Sequence, residues 1–244
     1  MPMTTTVDTL VNFFTGQGAF DGLGVQQMKD WYEWRGLDYE ETVRLKERWV
    51  QQWRKGSAEA PPERDRLRAE LARAIVGEWG GVRGNRQATL NQYIEDMDNE
   101  LEEIPFQGIA SRSKPLPLLD PKRYVIMDAR VVIALNATQF LEKPDKGRMF
   151  PEPPSRIMFF HRGGPNGYLT NPAYRPRAVV TANPDWRLVQ RKSTYKDYID
   201  FLGCVSCKLK EQSIDHTPLD LDMTLFAQAI KVVRRLERRN VEAG

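Results

Sequence analysis

Leu67, Leu71, Ile75 and Trp79 stand four residues apart with Arg and Glu between them, and the run ends at Gly80-Gly81. Helical spacing puts such a row on one face, so this stretch has to bury a stripe against another element. Similar spacing appears upstream at Leu23, Gln27, Trp31 and Trp34, and at Val43, Trp49, Val50 and Trp53. The first hundred residues therefore read as a series of packed helices, with Trp31, Trp34, Trp49 and Trp53 assigned to the core. GSAEAPPE, residues 56–63, is the linker between the second and third helices, because its proline pair interrupts any continuation.

After WGGVRGN, residues 79–85, a further helix is expected over Gln87–Glu103, with Glu95, Asp96, Asp98, Glu100, Glu102 and Glu103 on a solvated face. IPFQGIA, residues 104–110, reads as a hairpin, and SRSKPLPLLDPKRY as an extended link. The next helix begins near Asp128. Residues 141–192 change character, holding 8 of the 16 prolines and 10 Lys and Arg against 4 Asp and Glu. Within this basic, proline-rich insertion, RIMFFH (156–161) and AVV (178–180) are the candidate short strands. Helices over Tyr195–Glu211 and Pro218–Asn240 close the chain. The divisions are thus 1–140, 141–192 and 193–244.

Composition sets outer limits. With 244 residues, 41% of them hydrophobic, the chain can bury a substantial core, which excludes global disorder. Its 36 Lys and Arg against 33 Asp and Glu leave a net charge of only +3. No apolar run approaches the ~18 residues of a membrane span, and the N-terminus lacks a basic segment followed by an apolar one, so a cytoplasmic protein with no membrane partner is expected. Cys204 and Cys207 cannot build a disulfide framework and read as helix-buried thiols; with His216 they lack a fourth metal ligand. No metal and no cofactor is expected. His161 and His216 have no Ser or Cys arrangement around them, and no phosphate-binding loop or dinucleotide fingerprint is present.

The most informative segment is residues 91–136: helix, glycine-containing hairpin, short helix, extended link, then a helix opening at Asp128. Ile104-Pro105-Phe106-Gln107-Gly108, followed twenty residues later by Met127-Asp128-Ala129-Arg130-Val131, resembles the helix-hairpin-helix superfamily of DNA glycosylases. WGGVRGN and LDLDMTLFAQA are similar to the 8-oxoguanine-glycosylase-fold branch found in bacteria. The resemblance implies a mainly α, two-lobed fold, double-stranded DNA with a flipped modified base as partner, and Asp128 as the catalytic carboxylate. It implies DNA contacts from Gln107, Gly108, Ile109, Ala110, Ser111 and Arg112. The family's lyase amine lies two residues after the hairpin glycine, where this chain has Ala110. The expected enzyme is therefore monofunctional, releasing the base by hydrolysis without cutting the strand. Some bacterial relatives look like phage-defence proteins, so a hypermodified phage cytosine, such as glucosylated hydroxymethylcytosine, stands beside an ordinary damaged base as substrate. The alternative is a DNA-binding protein that kept the fold and lost the chemistry, or a helical domain with a protein partner.

The residues carry much of this without the family. A glycine at a bend lets a backbone come close, and the helix N-terminus near Ile109 offers N–H groups suited to a phosphate. Such contacts grip without reading sequence. A carboxylate held at a helix start can stabilise positive charge at a sugar's anomeric carbon and orient water; the same residue can equally be only an N-cap. Lys114 and Arg130 each read as a phosphate contact or as a solvated side chain. An extruded base needs apolar walls, for which Trp79, Tyr168, Tyr174 and Trp186, with His161, are the candidates in irregular segments. The aromatic and basic mixture over 156–191 reads as a DNA-contacting insertion or as a plain exposed loop.

Overall fold

The computed structural model describes residues 5–82, 84–98, 104–151, 173 and 175–242, and the chain is mainly helical. Helix α1 (Thr6–Thr15) opens with a reciprocal box between Thr5 and Asp8 and closes on Gly16 in the left-handed conformation. Two helices follow, α2 (Val25–Trp31) and α3 (Tyr39–Ser57), the latter started by a second such box between Asp38 and Glu41. α4 (Glu63–Ala72) runs directly into a π-helical segment, Arg73–Trp79, closed by the Gly80 N–H donating to Ile75 O at 2.9 Å. Beyond it lie α5 (Gln87–Asp98), the single turn α6 (Ile109–Arg112) and α7 (Ala129–Glu142).

α7 is apolar nearly all round, and residues 131–139 are buried throughout, which makes it the central helix. α10 (Pro218–Glu242) packs along it, and α1 sits against both α7 and α9 (Thr194–Glu211). α2 leans on α10, and α3 and α5 flank α4. Two polar side chains inside α7 bind the chain that follows it. Asn136 exchanges two hydrogen bonds with the Phe150 backbone, each 2.9 Å, and Gln139 exchanges two with Arg148, at 2.6 and 2.7 Å. Buried amides are retained where both ends are satisfied, and here they dock residues 148–150 onto the core.

Several expectations change on this frame. The short strands lie at β1 (Arg148–Met149) and β2 (Arg187–Leu188), paired in parallel with Arg148 opposite Arg187. The AVV run is instead in helix α8 (Pro176–Ala182): Pro176 sits in its first turn, where the missing N–H costs nothing. RIMFFH lies outside the described residues, as do His161, Tyr168 and Tyr174. Trp186 is no wedge; it is buried on Phe140 with Met149 and Val179, and its Nε1 donates to Pro144 O at 3.0 Å. Trp49 and Trp53 are core residues as expected, whereas Trp31 is 36% exposed with the Lys231 ammonium over its ring. Cys204 and Cys207 are both exposed rather than buried, because they fall on the outer face of α9, while Phe201, Leu202, Val205 and Leu209 face the core. No helix of the described residues is long and apolar enough to cross a membrane.

Candidate active site

Ser113 and Met127 join the two halves of the site. The Met127 N–H donates to Ser113 Oγ at 3.0 Å, and the Ser113 hydroxyl lies 3.4 Å from Met127 O, all of it buried. Tyr195 donates from its hydroxyl to Val125 O at 2.8 Å, and the Ile126 N–H reaches Asp222 Oδ2 at 3.4 Å. Residues 125–127 are therefore laced on three sides before the chain turns into α7. Asp128 emerges from this segment as the N-cap: its Oδ1 accepts from the Arg130 and Val131 N–H groups at 2.9 and 3.1 Å. Capping fixes the position of the carboxylate at the positive end of a helix. Its second oxygen accepts nothing from the described residues, and the side chain is half-buried on the wall of a cleft.

That cleft has a volume of about 660 Å³, within the ~300–1,000 Å³ of ordinary ligand sites. One wall is aromatic: Trp34 meets Phe226 edge-on at 5.0 Å and Trp79 at 6.3 Å, and Trp79 in turn meets Trp49 at 5.7 Å. The Arg130 guanidinium lies over the rings of Trp34 and Phe226, at 5.3 and 4.8 Å. It is part-buried and lines the cleft. Trp34, assigned to the core from its spacing, is half-buried on this wall, and its Nε1 donates to Trp79 O at 3.1 Å. Trp79 is where the pocket expectation placed it. The π turn supplies the reason: its wider hydrogen bonding rotates Trp79 off the stripe that Leu71 and Ile75 bury.

The hairpin forms one rim. Gly108 has φ 78°, the left-handed conformation that glycine adopts without strain, and Gln107 and Gly108 are exposed. Phe106, where the resembled family has a glycine, does not take a positive φ, so a side chain fits there; its ring lies under the Arg191 guanidinium at 5.2 Å. Ile109 is buried and its N–H bonds Phe106 O at 3.3 Å, which draws that donor into the turn. Ala110 and Ser111 line the cleft. Arg112 is held by Asp96 and stacks on Tyr93, so Asp96 is part of a pair and not simply solvated.

Lys114 is not the solvated side chain of its second reading. It is 9% exposed, faces the cleft, and its Nζ donates back to Ala110 O one turn earlier. Desolvation lowers its pKa, against the opposing pull of Asp128 and Asp222. The helix ends at Arg112, two residues before Lys114 and not at Pro115, and the Lys114 side chain lies inward over Gly80 instead of reaching solvent.

Asp222 is the residue that motif reasoning missed. It is 3% exposed, lines the same cleft, and its Oδ1 accepts from the Tyr198 hydroxyl at 2.7 Å. Burial pushes its pKa up to about 7, with Asp128 adding repulsion and the Lys46 ammonium opposing both. Lys46, also on the wall and above the Trp79 ring, has its pKa lowered by burial to about 8. LDLDMTLFAQA held the only sequence signal for Asp222, an acid inside an otherwise apolar helix face. The described residues contain no group of three or more His, Cys, Asp or Glu placed to share a metal. No protein-family model, curated protein or solved structure matches this chain.

Proposed function

We propose that this protein is a DNA glycosylase of the two-lobed helix-hairpin-helix type, which draws a modified nucleotide into the cleft and hydrolyses its N-glycosidic bond. The single observation that carries the reading is Asp128: a carboxylate clamped by two backbone N–H groups, with one oxygen left over, on the wall of an aromatic cleft whose rim is a glycine bend. Cleavage of a glycosidic bond builds positive charge at the anomeric carbon, and a fixed anion beside that carbon lowers the barrier without moving. The free oxygen is available to orient the attacking water. Trp34, Trp79 and Phe226 supply faces against which an unstacked base can rest. On this reading exposed Gln107 and Gly108 meet the phosphate backbone beside the extruded nucleotide. The cleft is larger than a bare nucleobase requires, which favours a bulky target such as a hypermodified phage cytosine.

The test is to incubate the protein with DNA from modified and unmodified phages and then with alkali. Breaks that appear in modified DNA only after alkali are the expected result, and they are expected to vanish in Asp128→Asn. Release of no base from any of these DNAs, with salt-sensitive binding intact, would leave a DNA-binding protein without the chemistry.

A further inference from the structure

Toward its end α10 carries Lys231, Arg234, Arg235 and Arg238, which take no part in the cleft. Steps of three and four residues put them on one side of the helix, while Val232, Val233 and Leu236 are buried on the other. With Gly22, Leu23 and Glu237 the four cations line an open groove of about 620 Å³, and Glu237 is the one acid among these lining residues. Arg235 is committed to the fold: its guanidinium donates to Ala19 O at 2.8 Å and to Asp21 O at 2.9 Å, which fixes the link between α1 and α2 along the groove edge. Lys231, Arg234 and Arg238 are exposed. Gly22, at φ 70°, has nothing near the place a Cβ would fill, so the groove is open above it.

Groove and cleft lie along one seam. Going back along the chain from Trp34, contacts with α10 move toward its C-terminus: Trp34 meets Phe226 on the cleft wall, Trp31 meets Lys231, and Asp21 meets Arg235. Lys231 therefore stands about 8 Å along the helix axis from Phe226. From Lys231 to Arg238 the axis covers about 10 Å, which is the rise of about three nucleotides in one strand of B-form DNA. Guanidinium groups match phosphate oxygens two to two, and the Trp31 ring beneath the Lys231 ammonium holds that charge at the end nearer the cleft. We propose that this groove is a second DNA contact, in which Lys231, Arg234 and Arg238 grip the sugar-phosphate backbone a few nucleotides away from the one held in the cleft. The choice of DNA as the polyanion rests on the glycosylase reading. Such a contact fixes the duplex on the protein without reading its sequence.

The experiment measures affinity for an unmodified, fluorescein-labelled duplex over a series of salt concentrations. Each phosphate contact contributes about 0.9 to the slope of log affinity against log salt, so the double variant Arg234→Gln/Arg238→Gln is expected to flatten that slope by about 2 and to bind about tenfold more weakly at ordinary ionic strength. Arg238→Gln alone, at an exposed position, is expected to flatten it by about 1. Arg54→Gln/Lys55→Gln removes the same charge from exposed positions on α3 and is expected to leave the slope as it is. An unchanged slope in both groove variants, an equal loss in the α3 variant, or no binding by wild type would overturn the proposal. So would a double variant that keeps its affinity for DNA and loses it for phosphatidylserine vesicles, which would make the groove a lipid contact. The two readings separate, because binding to unmodified DNA requires no chemistry. Base release with an unaltered slope in the groove variants removes the groove alone, and groove-dependent binding without base release from any DNA removes the glycosylase alone.

Discussion

A methyl group on Gly80 would come within 2.5 Å of Cε of Lys114, and within 2.8 Å of the Ile75 carbonyl oxygen. The Gly80 backbone is ordinary right-handed helix, φ −75°, so alanine suits the torsions there and only space forbids it. Gly80→Ala is expected to lower stability by about 1–3 kcal/mol, the usual cost of overfilling a packed site. Urea unfolding reads this as a fall in midpoint at constant slope, and an unchanged midpoint would show that Lys114 does not lie where it is described.

Ser113 and Met127 form the other tie, one residue away from Lys114 on one side and from Asp128 on the other. Ser113→Ala leaves the Met127 N–H buried without its acceptor, at a cost of about 1–3 kcal/mol. Base release is expected to suffer beyond the loss of folded protein, since the capped start of α7 loses its anchor. Activity per folded molecule equal to wild type would remove Ser113 from the positioning of the site.

Asp222 ties stability to pH. With a folded pKa of about 7 against about 3.9 unfolded, the native state binds more protons between those values. Stability therefore falls as pH rises from about 4 to 7, by up to about 1.4 kcal/mol per unit, and levels off above. Asp222→Asn is expected to lose this slope, so that the variant gains on the wild type steadily between pH 5 and pH 7. Denaturant melts of both proteins at unit intervals check it, and parallel curves would mean that Asp222 ionises as freely in the fold as out of it.

Two replacements separate the roles of Asp128. Asp128→Asn keeps a cap oxygen and is expected to cost a few tenths of a kcal/mol of stability, while slowing base release ~10²- to 10⁴-fold, about 3–5 kcal/mol of barrier. Asp128→Ala is expected to add a capping loss of about 1 kcal/mol. If the asparagine variant acts at near wild-type rate in single-turnover assays, Asp128 is a cap and nothing more.

What could be read directly from the chain was local. Helix-spaced apolar rows located α3 and α4, because amphipathic periodicity is a property of neighbouring residues; Gly108 and the start of α7 at Asp128 were legible because a left-handed bend and an N-cap each favour a few residue types. Tertiary structure decided the rest. It put Trp34 on the cleft wall, buried Trp186, exposed Cys204 and Cys207, and brought Asp222 from α10 and Lys46 from α3 to face Asp128 and Lys114. Spacing assigns a side chain to a helix face but not to what that face meets. A buried charge depends on groups nearly a hundred residues away, and only packing determines which of them share its cavity.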